Sequence, residues 1–115
     1  MKYAPFAIFL LLFTASQTLA APISDRQAAS HVGETAIVEG VVKNVFTTGG
    51  GTTFLDFGAS YPDETFTGVI FDDYAGEVGD VSGLTGRKVD IFGKITLYRG
   101  KPQIILKSRT QIRVY

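Results

Sequence analysis

The last third of the sequence combines cations with aromatic rings in a pattern that suits a nucleic acid ligand. Residues 87–113 carry eight Lys or Arg against one acid, Asp90, whereas residues 25–80 carry ten acids against two bases. A strand predicted over Arg87–Tyr98 alternates apolar with polar or aromatic residues, so its two faces differ. The predicted outward residues are Lys88, Phe92, Lys94 and Tyr98. Cations that contact phosphates, together with rings that stack on bases, are typical of proteins that bind single strands.

Neighbouring segments extend this candidate interface. Arg99 and Lys101 lie at the turn that follows the cationic strand, and Phe54 and Phe66 lie in the second and third predicted strands. We therefore predict phosphate contacts by Lys94, Arg99 and Lys101. Base stacking is predicted for Phe54, Phe66 and Tyr98. The competing interpretation is that the cations are ordinary solvated surface and the rings belong to the core, because Gly93 could reverse the alternation within its strand.

The remaining motifs do not favour catalysis, a cofactor or a metal. The glycines at 49–51 lack the Lys and the following helix of a phosphate-binding loop. Residues 79–83 (GDVSG) differ from the G-x-S-x-G nucleophile motif. His31 is the only possible imidazole base, and its position suggests packing at the end of a helix. The acidic loop with Asp72, Asp73, Glu77 and Asp80 is an alternative site for a hard cation, although it lacks the EF-hand pattern. The chain is predicted not to be an enzyme and to carry no cofactor.

Composition sets broad limits on the protein. A chain of 115 residues with 45% hydrophobic content is expected to form one globular domain. The absence of Cys excludes a disulfide scaffold, thiol catalysis and Cys-ligated metals, and a single His excludes a multi-His zinc centre. The formal net charge is zero, so any positive surface must come from the asymmetry between the two parts of the chain.

The first twenty residues resemble an export signal. Met1–Tyr3 carries one Lys, an apolar stretch follows over Ala4–Ala15, and small residues precede a plausible cleavage point after Ala20. The apolar stretch is shorter than the roughly twenty residues that span a bilayer. We predict a signal peptide over 1–20 and a mature domain over 21–115, periplasmic or secreted, without a membrane anchor. The alternative is a short buried helix.

The mature sequence predicts one short helix followed by strands. Ser24 and Gln27 have the spacing of a capping box, and Gly33 can end the helix that they begin. Five strands are predicted at Glu34–Phe46, Thr52–Gly58, Thr65–Phe71, Arg87–Tyr98 and Gln103–Ser108, with a short sixth at Gln111–Tyr115. Three strands, an irregular excursion over Asp72–Gly86 and a final hairpin give the order of an OB-fold, a five-stranded Greek-key barrel. Gly40 and Gly93 supply the bends that barrel strands need. An immunoglobulin-like sandwich is the rival, but it needs about seven strands.

Several segments resemble a family of small exported bacterial OB-fold domains. They are Ala29–Thr35, Val38–Val42, Phe54–Gly58, Tyr61-Pro62 with Phe66-Thr67, and Tyr98–Ile104. The resemblance implies a nucleic-acid-binding fold class and domains that also occur fused to exported nucleases. It covers nearly all of Ile23–Tyr115. Asp56 departs from it, since the family pattern implies a neutral Asn there, and a carboxylate facing the groove would weaken the binding of an anion.

The residues and the resemblance together lead to one functional hypothesis. The protein is predicted to be an exported, monomeric module that binds single-stranded DNA or RNA without catalysis. The alternative is a periplasmic module of the same fold that binds a small molecule, a cation or a protein. A weaker alternative is an accessory domain that partners an exported nuclease.

Overall fold

The computed structural model describes residues 21–115, and these residues form mostly β structure. The strands are β1 (Ile23–Ser24), β2 (Thr35–Thr47), β3 (Thr53–Phe57), β4 (Phe66–Ile70), β5 (Lys88–Tyr98), β6 (Lys101–Ile105) and β7 (Ile112–Val114). Short 3-10 segments span Asp25–His31, Asp72–Tyr74, Ser82–Leu84 and Arg109–Gln111. The α-helix of the described chain, α1, covers Ala75–Val78. Among residues 21–115, no helix is long and apolar enough to cross a bilayer. The predicted signal peptide lies outside the described residues.

Five of the strands close into a barrel. The order β2-β3-β4-β6-β5 returns to its start because β5 also pairs with β2. All of these pairings are antiparallel except β4 with β6, which is parallel. This is the five-stranded arrangement of an OB-fold, so the predicted fold class is confirmed. The short strands β1 and β7 extend the sheet by pairing with β2 and β5.

The two long strands, β2 and β5, close the barrel because each pairs with one strand along its first part and with another along its second part. β2 pairs with β5 over residues 35–41 and with β3 over residues 42–47, and its register shifts between Val42 and Asn44. The bend was predicted at Gly40, but Gly40 pairs regularly with Val89, and the irregularity lies further along the strand, between Val42 and Asn44. β5 pairs with β2 up to Lys94 and with β6 from Ile95 onward. Gly93, with a φ of 155°, lies at this change of partner and bends the strand.

The barrel interior is filled by inward-facing side chains of every closing strand. The fully buried members with the largest side chains include Phe57, Phe66, Leu55, Ile91, Ile95 and Ile104. The rings of Phe57 and Phe66 pack edge to face with centroids 5.3 Å apart. Complete burial of one such side chain contributes about 1.5–3 kcal/mol, so a small number of these residues decides stability.

The segment predicted as a short helix after Ser24 is a 3-10 helix, Asp25–His31, that covers part of the barrel. Its first turn contains the predicted capping box, in which the Gln27 side chain accepts from the backbone N–H of Ser24 at 2.9 Å. Ala28 is fully buried, and the Asp25 carboxylate accepts a hydrogen bond from the Thr65 hydroxyl. These contacts attach a segment that is too short to be helical by itself.

Candidate ligand-binding groove

A groove of about 630 Å³ runs across the outer surface of β2, β3, β4 and the β5–β6 hairpin. Its strand residues are Asn44, Phe46, Phe54, Asp56 and Thr67, its hairpin residues are Tyr98, Arg99, Lys101, Pro102 and Gln103, and its loop residues are Ser60, Tyr61, Pro62 and Glu64. A second depression of about 240 Å³ adjoins it, sharing Phe54, Tyr98 and Gln103, and continues to Phe71. The surface therefore suits an extended ligand.

The strand register arranges the floor of the groove as two neighbouring rows. Phe46 lies opposite Phe54, which lies opposite Val69, and these three form an apolar row. A second, polar row lies two residues away from the apolar row along each strand. It is formed by Asn44, Asp56, Thr67 and Gln103. Because alternate residues share a face and each rises about 3.3 Å, the rows are about 7 Å apart. A flat ligand ring can thus place its face on the apolar row and its polar edge on the polar row at the same time.

Four aromatic side chains line the groove, and three of them are widely exposed. Phe46 is 54% exposed, Tyr98 is 56% exposed and Tyr61 is 73% exposed, while Phe54 is half-buried between its neighbours. The structure places Phe54 and Tyr98 where the sequence predicted them. Phe46 and Tyr61 were not predicted. The hairpin over Thr48–Thr52 was a usable signal for Phe46, since a register that pairs Thr47 with Thr53 puts Phe46 beside Phe54.

Phe66 was predicted to stack on a ligand, and this prediction is wrong. Its side chain has no exposed surface and packs on Phe57 inside the barrel. The cause is the alternation of β4, in which Thr67 and Val69 face the groove side and Phe66 faces inward. A ring in this position supports the groove from below and cannot reach a ligand.

The hairpin at one rim of the groove presents a cation beside a ring. Arg99 and Gly100 have φ values of 52° and 80°, as a type I′ turn between two antiparallel strands requires. The Arg99 guanidinium lies 5.2 Å from the centre of the Tyr98 ring. Both residues are exposed, so a ligand could contact the ring face and the cation together.

Lys101 lines the groove but is already engaged with the opposite rim. Its ammonium donates to the backbone carbonyls of Pro62 and Glu64, and it lies 3.4 Å from the Glu64 carboxylate. Lys101 therefore attaches the hairpin to the segment between β3 and β4. The contacts leave it less available to a phosphate than the sequence suggested, so its main effect here is to hold the two rims together.

Asp56 brings a nearly buried carboxyl group to the floor of the groove. Its side chain is 3% exposed. Burial raises the pKa of this carboxyl above its ordinary 3.8, and the charge of Glu64 raises it further. Hydrogen bonds from the Asn44 side chain and the Tyr61 backbone, with the charge of Lys101, act in the opposite direction and are outweighed. The groove therefore contains two carboxyl groups alongside its two cations.

Asp56→Asn is expected to stabilise the protein at neutral pH, because the folded state disfavours the ionised carboxyl. A raised folded-state pKa means that acidification stabilises the parent chain as pH falls from that raised value to 3.8. The stability advantage of the Asp56→Asn variant over the parent protein should therefore shrink as the pH falls over the same range. Thermal melts of both proteins at several pH values measure this. Asp73→Asn, at an exposed site, is the control, and an Asp56→Asn advantage that grows on acidification would contradict the expectation.

The other predicted cations do not converge on the groove. Lys94 lies opposite Thr35, where β5 pairs with β2, and does not line the groove. The reason is that β5 changes partner at Gly93, so its outward residues point to different sides of the barrel. The remaining cations contact other partners. Arg87, Lys88 and Arg113 surround Tyr115, Lys107 lies over Tyr74, and Arg109 donates to the carbonyls of Val78 and Asp80.

The other candidate groups lie outside the groove. His31 pairs with Glu34 through its Nδ1 at 2.9 Å, at the end of the N-terminal 3-10 helix. In the acidic excursion, Asp80 accepts hydrogen bonds from the backbone and hydroxyl of Ser82, which lower the pKa of its carboxyl. Over residues 21–115, no three or more His, Cys, Asp or Glu side chains are grouped so that they could hold a metal ion.

Comparison with known proteins supports the fold. No protein-family model and no curated protein sequence matches the chain. The crystal structure of a putative aspartyl-tRNA synthetase from Leishmania major Friedlin is similar, with a TM-score of 0.56 and 13% identity. The match covers 86% of this chain and 22% of that one, so this chain corresponds to a fraction of the synthetase. At this identity the likeness concerns the fold alone.

Proposed function

We propose that this protein is a non-catalytic OB-fold module that binds a single-stranded oligonucleotide in the groove. The observation that supports it most is the group of three rings that line the groove, Phe46, Phe54 and Tyr98, on the face that OB-folds use for oligonucleotides and oligosaccharides. Each ring offers a flat apolar face on which a base of any type can stack. The structural similarity to a putative aspartyl-tRNA synthetase is compatible with this proposal.

The charges of the groove predict that stacking dominates the affinity. Arg99 is the groove cation most available to a phosphate, because Lys101 contacts Glu64 and two carbonyls. Asp56 and Glu64 oppose an anionic ligand. For single strands, log affinity falls against log salt with a slope of about −0.7 for each phosphate neutralised. A slope of about −0.7 to −1.4, equivalent to one or two phosphates, is therefore expected.

Titration of a fluorescently labelled oligothymidine at low and moderate salt tests the proposal. Phe54→Ala should weaken binding by about 1–3 kcal/mol, the usual contribution of one stacked base. Phe92→Ala is the matched control, because Phe92 is 48% exposed but lies on the β2–β5 side, outside the groove. Absent binding, or equal losses in the two variants, would overturn the proposed function.

Arg99→Ala tests the electrostatic part separately. The variant should bind more weakly at low salt and should show a flatter salt dependence, because one phosphate contact is lost. Lys94→Ala removes a cation outside the groove and should leave the slope unchanged. A slope that responds equally to both substitutions would indicate long-range attraction by the whole surface and would contradict a contact at Arg99.

A second candidate function follows from the carboxyl groups. Rings beside Asp56 and Glu64 also suit a cationic small molecule or the basic side chain of a protein partner, since cations bind aromatic faces and carboxylates. Calorimetry with spermidine as the probe distinguishes the two functions. Tight spermidine binding that Asp56→Asn weakens, without oligonucleotide binding, would favour this second function.

We further propose that the mature domain is exported and monomeric, and that its partner is an exported nuclease. Export rests on the signal-peptide pattern of residues 1–20, and the nuclease rests on the family resemblance. In that setting, the module would hold single strands and leave their cleavage to the partner.

A further inference from the structure

We propose that Asp56 makes the groove selective for guanine over thymine or uracil, an inference that rests on the proposed oligonucleotide function. Asp56 lies in the middle of the polar row, between Asn44 on β2 and Thr67 on β4. On the same face of β3, two residues earlier, Phe54 belongs to the apolar row. A base that stacks on Phe54 can therefore direct one edge toward Asp56.

The carboxyl group retains capacity for a further ligand. A carboxylate has about four acceptor positions on its two oxygens and no donor when ionised. The Asn44 side chain and the Tyr61 backbone are the hydrogen-bonding neighbours that lower the pKa of Asp56. The positions that remain belong to a side chain that is 3% exposed and lines the groove. A charged acceptor so strongly buried is costly unless donors reach it, and a ligand edge can supply them.

Guanine matches this acceptor better than the other bases. Its Watson–Crick edge presents two adjacent donors, N1–H and the N2 amino group, which fit the two oxygens of one carboxylate. Thymine and uracil present one N3–H between two carbonyl oxygens, which a carboxylate repels. Adenine and cytosine present one amino donor beside an acceptor nitrogen. Single strands expose these edges, so a protein can read them directly.

The far end of the polar row adds a second amide side chain, that of Gln103. Gln103 continues the row onto β6, where it pairs with Thr96 of β5. Gln103 also lines both parts of the groove. The row thus provides amide groups on both sides of Asp56 for the remaining polar atoms of a base.

The test uses thymidine oligomers of about eight nucleotides, within the usual site size of one OB-fold, with one central base varied. A single guanine keeps these strands free of self-association. At pH 8 the oligomer with a central guanine should bind about tenfold more tightly than the all-thymidine oligomer. This is the discrimination against a wrong base that a good bidentate hydrogen-bonding pair provides. Asp56→Asn should reduce that ratio to about one and raise thymidine affinity, because an amide can both donate and accept.

Glu64→Gln is the matched control, since it removes a charge from the same groove without altering the polar row. This variant should bind all oligomers more tightly by a similar factor and should keep the tenfold preference for the oligomer with a central guanine. A ratio near one in the parent protein, with oligomers still bound, would overturn guanine selectivity and leave the proposed function intact. Loss of the ratio in Glu64→Gln would also overturn it, by showing that net charge causes the preference. If no oligomer binds the parent protein, both proposals fail.

Discussion

Phe66→Ala is expected to lower the free energy of unfolding by about 3–5 kcal/mol, as large-to-small substitutions of buried aromatic residues do. The Phe66 side chain is completely buried, and its contact with Phe57 would be lost together with the filled volume. Urea denaturation followed by circular dichroism measures the loss. Should the alanine variant not fold, Phe66→Leu keeps most of the apolar volume and should show a smaller loss in the same direction.

Phe54→Ala is the informative comparison, because the two rings were predicted to have the same function. Phe54 is half-buried in the groove, so its truncation should affect oligonucleotide binding more than stability. Phe66→Ala or Phe66→Leu should affect stability more than binding. A Phe66 variant with normal stability and Phe54-like loss of binding would contradict the inward position of Phe66.

Gly93→Ala is expected to be nearly as damaging, although it adds only one methyl group. A Cβ at this position would lie 2.6 Å from Cγ2 of Ile104, a fully buried residue of β6. Overpacking of a core costs about 1–3 kcal/mol. The φ of 155° adds backbone strain of about 1–3 kcal/mol for a residue with a side chain. Thermal and urea denaturation should both show the loss.

Gly76→Ala provides the control for this substitution. Gly76 lies in α1 and nothing within 4 Å would meet its Cβ. Alanine there should be neutral or should stabilise by up to about 1 kcal/mol, because glycine weakens helices. If Gly93→Ala were as stable as the parent, the bend of β5 and the change of partner at this residue would have to be reconsidered.

Four of the predicted site residues, Phe54, Tyr98, Arg99 and Lys101, line the groove, and for the three on the hairpin the local turn sequence explains their position. Tyr98 and Arg99 adjoin a turn with a clear hairpin sequence, and Lys101 follows directly. Phe66 could not be placed in this way. Its strand, TFTGVIF, has apolar residues at both odd and even positions, so alternation alone does not show which set faces inward. Lys94 was placed wrongly because the two halves of β5 belong to different sides of the barrel.

The strands, their order and hence the barrel could be predicted from the sequence, since alternation, glycines and turn residues act over a few neighbouring positions. Which charges meet depends on the folded arrangement of the strands and loops. Lys101 and Glu64 are 37 residues apart in the chain, and Asp56 joins Asn44 and Thr67 through the register of three strands. Burial and electrostatic interaction depend on distances in space, which barrel closure sets. The groove consequently combines rings with carboxyl groups, whereas the separation of charge along the sequence indicated a cationic surface.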